Sequence, residues 1–262
     1  IVIFSLLSVI SFFHKGFMVT DDGGWMVIRL AAFYDALKDG QLPVRWVDTL
    51  NFGFGYPVAN FLYPGFLYLG VPLVILTSNF IFSVKILFVI SILAGPLGMY
   101  LWLSQKYNSF SSLIGALVYV YAPYHLFNSV VRGSLGEILF LGIIPFLFWA
   151  IQTKRQLLVS VLLGMLLISH NTLALLFLPV ILGYVLVVRK TIYKRPVDIV
   201  LPLILGVGMS LFFWIPALVD LSSTRFFDTS VSDYAKYFAS IDLIGLVPLT
   251  VLIVSLVFLL KT

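Results

Sequence analysis

Long uncharged apolar runs constrain this chain more than any other feature. Residues 79–103 carry one charge, Lys85; residues 172–188 carry none; residues 197–217 and 242–260 carry one aspartate each. A run of about 18 or more apolar residues reads as a bilayer-spanning helix, because a helix satisfies its own backbone polar groups where no water can. Composition agrees. Hydrophobic residues make up 61% of the chain and charged residues 10%, against about 25% charged in soluble domains. A soluble surface cannot be covered with so few charges.

The pattern predicts an all-α, polytopic transmembrane bundle forming a single domain over residues 1–262. Eight spans are expected: 1–13, 79–103, 111–126, 137–151, 156–170, 172–188, 197–217 and 242–260. The apolar stretch 61–77 is broken by Pro64, Gly65, Gly70 and Pro72, which suits a re-entrant or interfacial segment. The run 1–13 has signal-peptide character, but no small-residue cleavage site follows it. It reads as a truncated first span in a fragment of a longer chain. No internal repeat is evident. Cysteine is absent, which excludes disulfides and thiolate zinc sites.

Charge sets the sidedness. Lys106, Lys154-Arg155, Arg189-Lys190, Lys194-Arg195 and Lys261 gather on one side, which the positive-inside rule makes cytoplasmic. The net charge of +5 is explained by these short loops, so no nucleic-acid partner is expected. If 61–77 does not cross, the opposite side receives a long loop, 14–60, and a second loop, 219–241. Within the long loop, Ile28, Ala31, Ala32, Asp35 and Ala36 recur at helical spacing, predicting an amphipathic helix over 25–38 that stops at Gly40. Asn51-Phe-Gly-Phe-Gly-Tyr-Pro57 is turn chemistry and lacks a phosphate-loop pattern.

The outer side also holds the polar residues that can carry chemistry. Asp21-Asp22 can hold a divalent cation or act as a base, or can simply cap the helix that follows. Glu137 is the one glutamate in the chain, five residues after Arg132 at the mouth of a span. The two either pair structurally, or bind an anionic phosphate and serve a metal or proton. His125 and the His170-Asn171 turn lie on the same side. Lys85 sits one to two turns into a span, where it snorkels or meets a lipid phosphate. Arg45, beside Trp46, either does the same or anchors the loop. The histidines show no zinc spacing.

Several strings resemble a bacterial membrane family described as related to 6-pyruvoyl-tetrahydropterin synthase: Gly40-Gln-Leu-Pro-Val-Arg-Trp46, Gly53-Phe-Gly-Tyr-Pro57, Asn60-Phe-Leu-Tyr-Pro64, Tyr121-Ala-Pro-Tyr-His-Leu-Phe-Asn128, Val131-Arg-Gly-Ser-Leu-Gly-Glu137 and Ser169-His-Asn-Thr172. The pterin enzyme in that name does not fit, since a three-histidine zinc set and a soluble α+β pattern are missing. The layout is also similar to GT-C fold glycosyltransferases that use polyprenyl-phosphate sugars. That resemblance implies a sugar transferred from a polyprenyl-phosphate-linked donor to an acceptor on the outer face of a bacterial plasma membrane. Asp21 or Asp22 would be base or Mg²⁺/Mn²⁺ ligand, Glu137 would join them in catalysis, and Arg132, His125, His170, Asn171, Lys85 and Arg45 would bind substrate. The partners expected are membrane lipid and the lipid-linked sugar. The rival expectation is a non-enzymatic membrane protein that binds or moves a lipid-linked or anionic substrate.

Overall fold

The computed structural model describes residues 1–225 and 241–259, and every regular element among them is helical. In chain order these are α1 (Val2–Ser5, prolonged by a 3-10 stretch Leu6–Phe13), α2 (Gly23–Lys38), α3 (Val58–Phe61), α4 (Gly65–Thr77), α5 (Phe80–Leu103), α6 (Ser109–Val120) and α7 (Pro123–Phe127). A π turn, Asn128–Arg132, leads into α8 (Leu135–Gln152), followed by α9 (Gln156–Leu167), α10 (Asn171–Ile192), α11 (Val197–Val219) and α12 (Leu246–Leu259). Residues 226–240, most of the expected second outer loop with Phe226 and Phe227, lie outside the described residues, as does Lys261.

Among the described residues, α5, α8, α10 and α11 with its 3-10 extension are long and apolar enough to cross a membrane, four in place of the eight expected. A fifth is counted if Ser109–Val120 and Pro123–Arg132, bent by 43°, form one broken span. The break has a simple cause: Pro123 lacks the N–H and the clearance to continue the helix. The expected span 156–170 stops at Leu167, giving a helix about 18 Å long against a hydrocarbon core of about 30 Å. The last expected span begins only at Leu246, after Gly245 at φ +81°.

The core is built around α8, buried along most of its length. It packs parallel to α5, with Ser91 level with Gly142 and Gly98 level with Phe146. Lipid gives helices no hydrophobic reason to associate, so close backbone approach matters more. A Cβ added to Gly142 would stand 2.6 Å from the Ser91 carbonyl oxygen. On its other side α8 meets α9, which packs along α11.

Helix α4 settles the arrangement of the long loop. Its 13 residues reach about 20 Å, and Gly65 N–H bonds the Ile168 carbonyl (2.9 Å) at the end of the bundle where α8 starts. After Ser78, left-handed at φ +52°, α5 begins at that same end. Residues 14–60 therefore share one end with the α9–α10 turn and the mouth of α8. Lys106, Lys154, Arg155, Lys194 and Arg195 lie at the other. Helix α2 stops at Lys38, with Gly40 at φ +89°, but its buried face is not the expected one. Met26, Leu30 and Phe33 face inward and Ile28 outward. The partners choose the face: Leu30 lies over Gly70, and Phe33 meets the Tyr68 ring edge-on at 5.0 Å. Arg45 ties the loop to α11, donating to Asn60 Oδ1 (2.9 Å) and the Phe212 carbonyl (3.1 Å), while Asn60 donates to Asp220 (2.9 Å).

Candidate functional site

Four segments far apart in sequence meet at the loop end of the bundle, and main-chain contacts hold them. The N–H groups of Asp21 and Asp22 donate to the carbonyls of Val131 (3.0 Å) and Arg132 (2.7 Å). Gly133 permits this approach: it turns at φ +65°, and a Cβ there would lie 2.3 Å from Thr20 Oγ1. At Gly136 a Cβ would stand 2.1 Å from the Tyr63 ring and 2.7 Å from the Ser169 carbonyl. Residues 20–23, 63–65, 131–137 and 168–171 are thereby fixed around one point.

Glu137 is the buried anion at that point, 1% exposed in the first turn of α8. It accepts from Arg132 Nη1 and from the Tyr124 hydroxyl at 2.5 Å. Arg132 also donates to Asn128 Oδ1 at 3.1 Å. Asn128 and Arg132 are the first and last residues of the π turn, four apart and on one face. His170 caps α10, its Nδ1 accepting from Leu173 N–H (3.3 Å). That role puts the ring proton on Nε2, which faces Glu137 Oε1 at 3.7 Å. Tyr63 lies against the His170 ring at 4.6 Å. Burial holds His170 neutral, pulling it down to about 4 despite Glu137, and pushes Tyr63 up to about 12.

Asp22 faces this cluster from the loop side. It occupies the N-cap position of α2 but makes no side-chain cap bond; Thr20 Oγ1 accepts from Gly23 N–H (3.0 Å) instead. The carboxylate is therefore left for other work. It is half-buried, and burial raises its pKa more than the nearby Arg132 and Arg29 lower it, with Asp21 and Glu137 adding to the rise. A carboxylate raised in this way beside a guanidinium is the usual state of a general base. Asp21 is exposed. The pair's oxygens suit a hard cation of the kind that completes its shell with water and substrate phosphate. Among the described residues no group of three His, Cys, Asp or Glu side chains could hold a metal ion.

The other expected site residues make different contacts. Lys85 is buried and donates to the His14 carbonyl (2.5 Å). His125 packs edge-on against Tyr119 at 4.4 Å. Arg45 belongs to the clasp on α11, and Asn171 donates to the Phe61 carbonyl (2.8 Å), pinning the α9–α10 turn. Reasoning from sequence missed Tyr63, Tyr124 and Asn128, although all three lie in the quoted strings. Pro123 was the available signal, because the helix break it causes aims Tyr124, not His125, at Glu137. Beside the cluster, Pro123 and Tyr121 help line an apolar groove of about 430 Å³ completed by Leu117, Leu246 and Pro248.

The architecture and the buried Arg132–Glu137 pair at the mouth of a span define a helical integral membrane protein with a polar site at one end of its bundle. The family model described as "6-pyruvoyl-tetrahydropterin synthase related domain; membrane protein" matches residues 61–259, and the chain belongs to that family. Asp21, Asp22 and Arg45 lie ahead of the matched stretch. No curated protein and no solved structure matches the chain.

Proposed function

We propose that the protein is a membrane glycosyltransferase of GT-C-like layout, acting at the outer face of the plasma membrane on a polyprenyl-phosphate-linked sugar. The observation that carries this reading is the placement of Asp22, a half-buried carboxylate of raised pKa, beside Arg132 through main-chain pairing. The reaction requires a base for the acceptor hydroxyl and positive charge for the departing phosphate. Asp22 takes the proton as the acceptor oxygen attacks the anomeric carbon. The bond from that carbon to the phosphate oxygen breaks, and Arg132 and Arg29 stabilise the polyprenyl phosphate that leaves. Glu137, Tyr124 and Asn128 hold Arg132 in place, and His170 and Tyr63 close the floor under it. The apolar groove beside Pro123 offers the prenyl chain a lateral seat. A Mg²⁺ or Mn²⁺ ion on Asp21 and Asp22 would add positive charge at the donor phosphate.

Native mass spectrometry of the purified full chain tests this reading. Wild type should carry a polyprenyl phosphate, and Asp22→Asn, unable to turn over, should carry the sugar-loaded donor. Bulk phospholipid alone on both proteins would overturn the donor assignment. Equal loading of both with the intact donor, together with sugar-independent movement of lipid across vesicles, would favour the carrier instead.

A further inference from the structure

A second cavity opens one helical turn beyond Asp22. Trp25, Ile28 and Arg29 of α2 form one wall of a groove of about 210 Å³, and Leu50, Asn51, Tyr56 and Val58 form the other. The Trp25 and Tyr56 rings are half-exposed there, at 55% and 50%. Arg29 lies 6.0 Å from the Trp25 ring centre and acts electrostatically on both Asp22 and Tyr63, so it joins the groove to the catalytic cluster. The far wall is pre-formed. Val47 and Tyr56 exchange both main-chain bonds at 3.0 Å, and the turn between them holds Asn51 and Phe52 left-handed at φ +55° and +59°. Left-handed backbone at non-glycine residues persists only where surrounding structure enforces it.

Two exposed aromatic faces, an amide and a guanidinium around a volume below that of drug-sized pockets suit one polar ring with an apolar face. We infer that this groove is the acceptor subsite and binds a pyranose ring, stacked on Trp25 and Tyr56, with a hydroxyl directed toward Asp22. The inference rests on the transferase reading and names its acceptor class as a glycoside. Asp22 precedes Trp25 by three residues and interacts with Arg29 of the same wall, which puts a base beside a nucleophile bound in the groove, while the lipid-linked donor lies on the Arg132 side.

The test is saturation-transfer NMR on the full chain in nanodiscs, with a panel of the methyl pyranosides of glucose, galactose, mannose and N-acetylglucosamine. At least one should receive saturation through its ring C–H face. Trp25→Ala should weaken that signal about tenfold, while Trp25→Phe, which keeps a stacking face, should retain it. Tyr56→Ala, on the opposite wall, should weaken it too. Absence of saturation from every pyranoside, or undiminished saturation in folded Trp25→Ala and Tyr56→Ala proteins, overturns the inference. Loss of this binding alongside Asp22-dependent sugar transfer would sink the subsite and spare the transferase. Binding as expected with no transfer from any lipid-linked sugar would uphold the subsite and sink the transferase.

Discussion

Replacing Asp22 by Asn should abolish activity while leaving the protein at least as stable as wild type. The folded-state pKa of Asp22 is raised, chiefly by burial. The folded protein therefore holds that proton more tightly than the unfolded chain does. Ionisation then works against folding: stability falls as pH rises from the ordinary carboxylate value of 3.8 through the raised one, and the penalty is complete above it. At neutral pH the carboxylate is a liability that asparagine removes. The net rise already includes the opposing pull of Arg132 and Arg29, and no capping bond is lost, because Thr20 Oγ1 accepts from Gly23 N–H at the helix start. A helix N-cap exchanged from Asp to Asn is in any case nearly neutral. The loss in rate should be about 10²–10⁴-fold, the usual contribution of a positioned base. Thermal unfolding in nanodiscs across pH 4–8, paired with transfer of radiolabelled sugar, reads both quantities. Wild type should lose melting temperature with rising pH relative to the variant, and the two curves should converge at low pH. A variant that melts well below wild type at neutral pH, or one that transfers at full rate, would refute the assignment.

Glu137→Gln should destabilise by about 3–5 kcal/mol, because it leaves the Arg132 guanidinium half-enclosed without its counter-charge; melting temperature reads this. Gly136→Ala should cost about 1–3 kcal/mol as the new methyl drives into Tyr63 and the Ser169 carbonyl, and Tyr63→Ala should relieve only the part due to the ring in a double-mutant cycle. His170 is held at about 4, below its ordinary 6.5. Its contribution to stability is present above pH 6.5 and lost as pH falls toward 4, and His170→Asn, which keeps a cap, should flatten that slope in pH-dependent unfolding. Arg45→Ala should free the long loop from α11, and limited proteolysis between residues 41 and 57 should accelerate with little change in melting temperature.

The bundle was legible where hydropathy runs are unbroken, as in α5, α8, α10 and α11. It was misread where local chemistry interrupts an apolar run. The expected span 111–126 reads as one stretch, but Pro123 bends it, and a π turn over Asn128–Arg132 follows. The interior face of α2 was not readable because it is set by Gly70 and Tyr68, some forty residues away. The candidate residues were largely visible as residue types. Their grouping was not, since main-chain bonds bring Asp22 to Arg132 and leave no mark on side-chain pattern. Lys85 and His125 share the sidedness of the cluster, and in the structure Lys85 donates to the His14 carbonyl and His125 packs on Tyr119.

The pairing of Asp21 and Asp22 with Val131 and Arg132 through peptide groups also bears on how this site can change over generations. The main-chain bonds that juxtapose the two segments make no demand on the side chains of Asp21, Asp22 and Val131, whereas Arg132 is also held by Glu137 and Asn128. Selection can therefore exchange a carboxylate at Asp21 or Asp22 for an amide without rebuilding the frame that aims it. Chemistry at this mouth is free to drift toward new donors, or to fall silent and leave a binding protein, while the surrounding architecture stays the same.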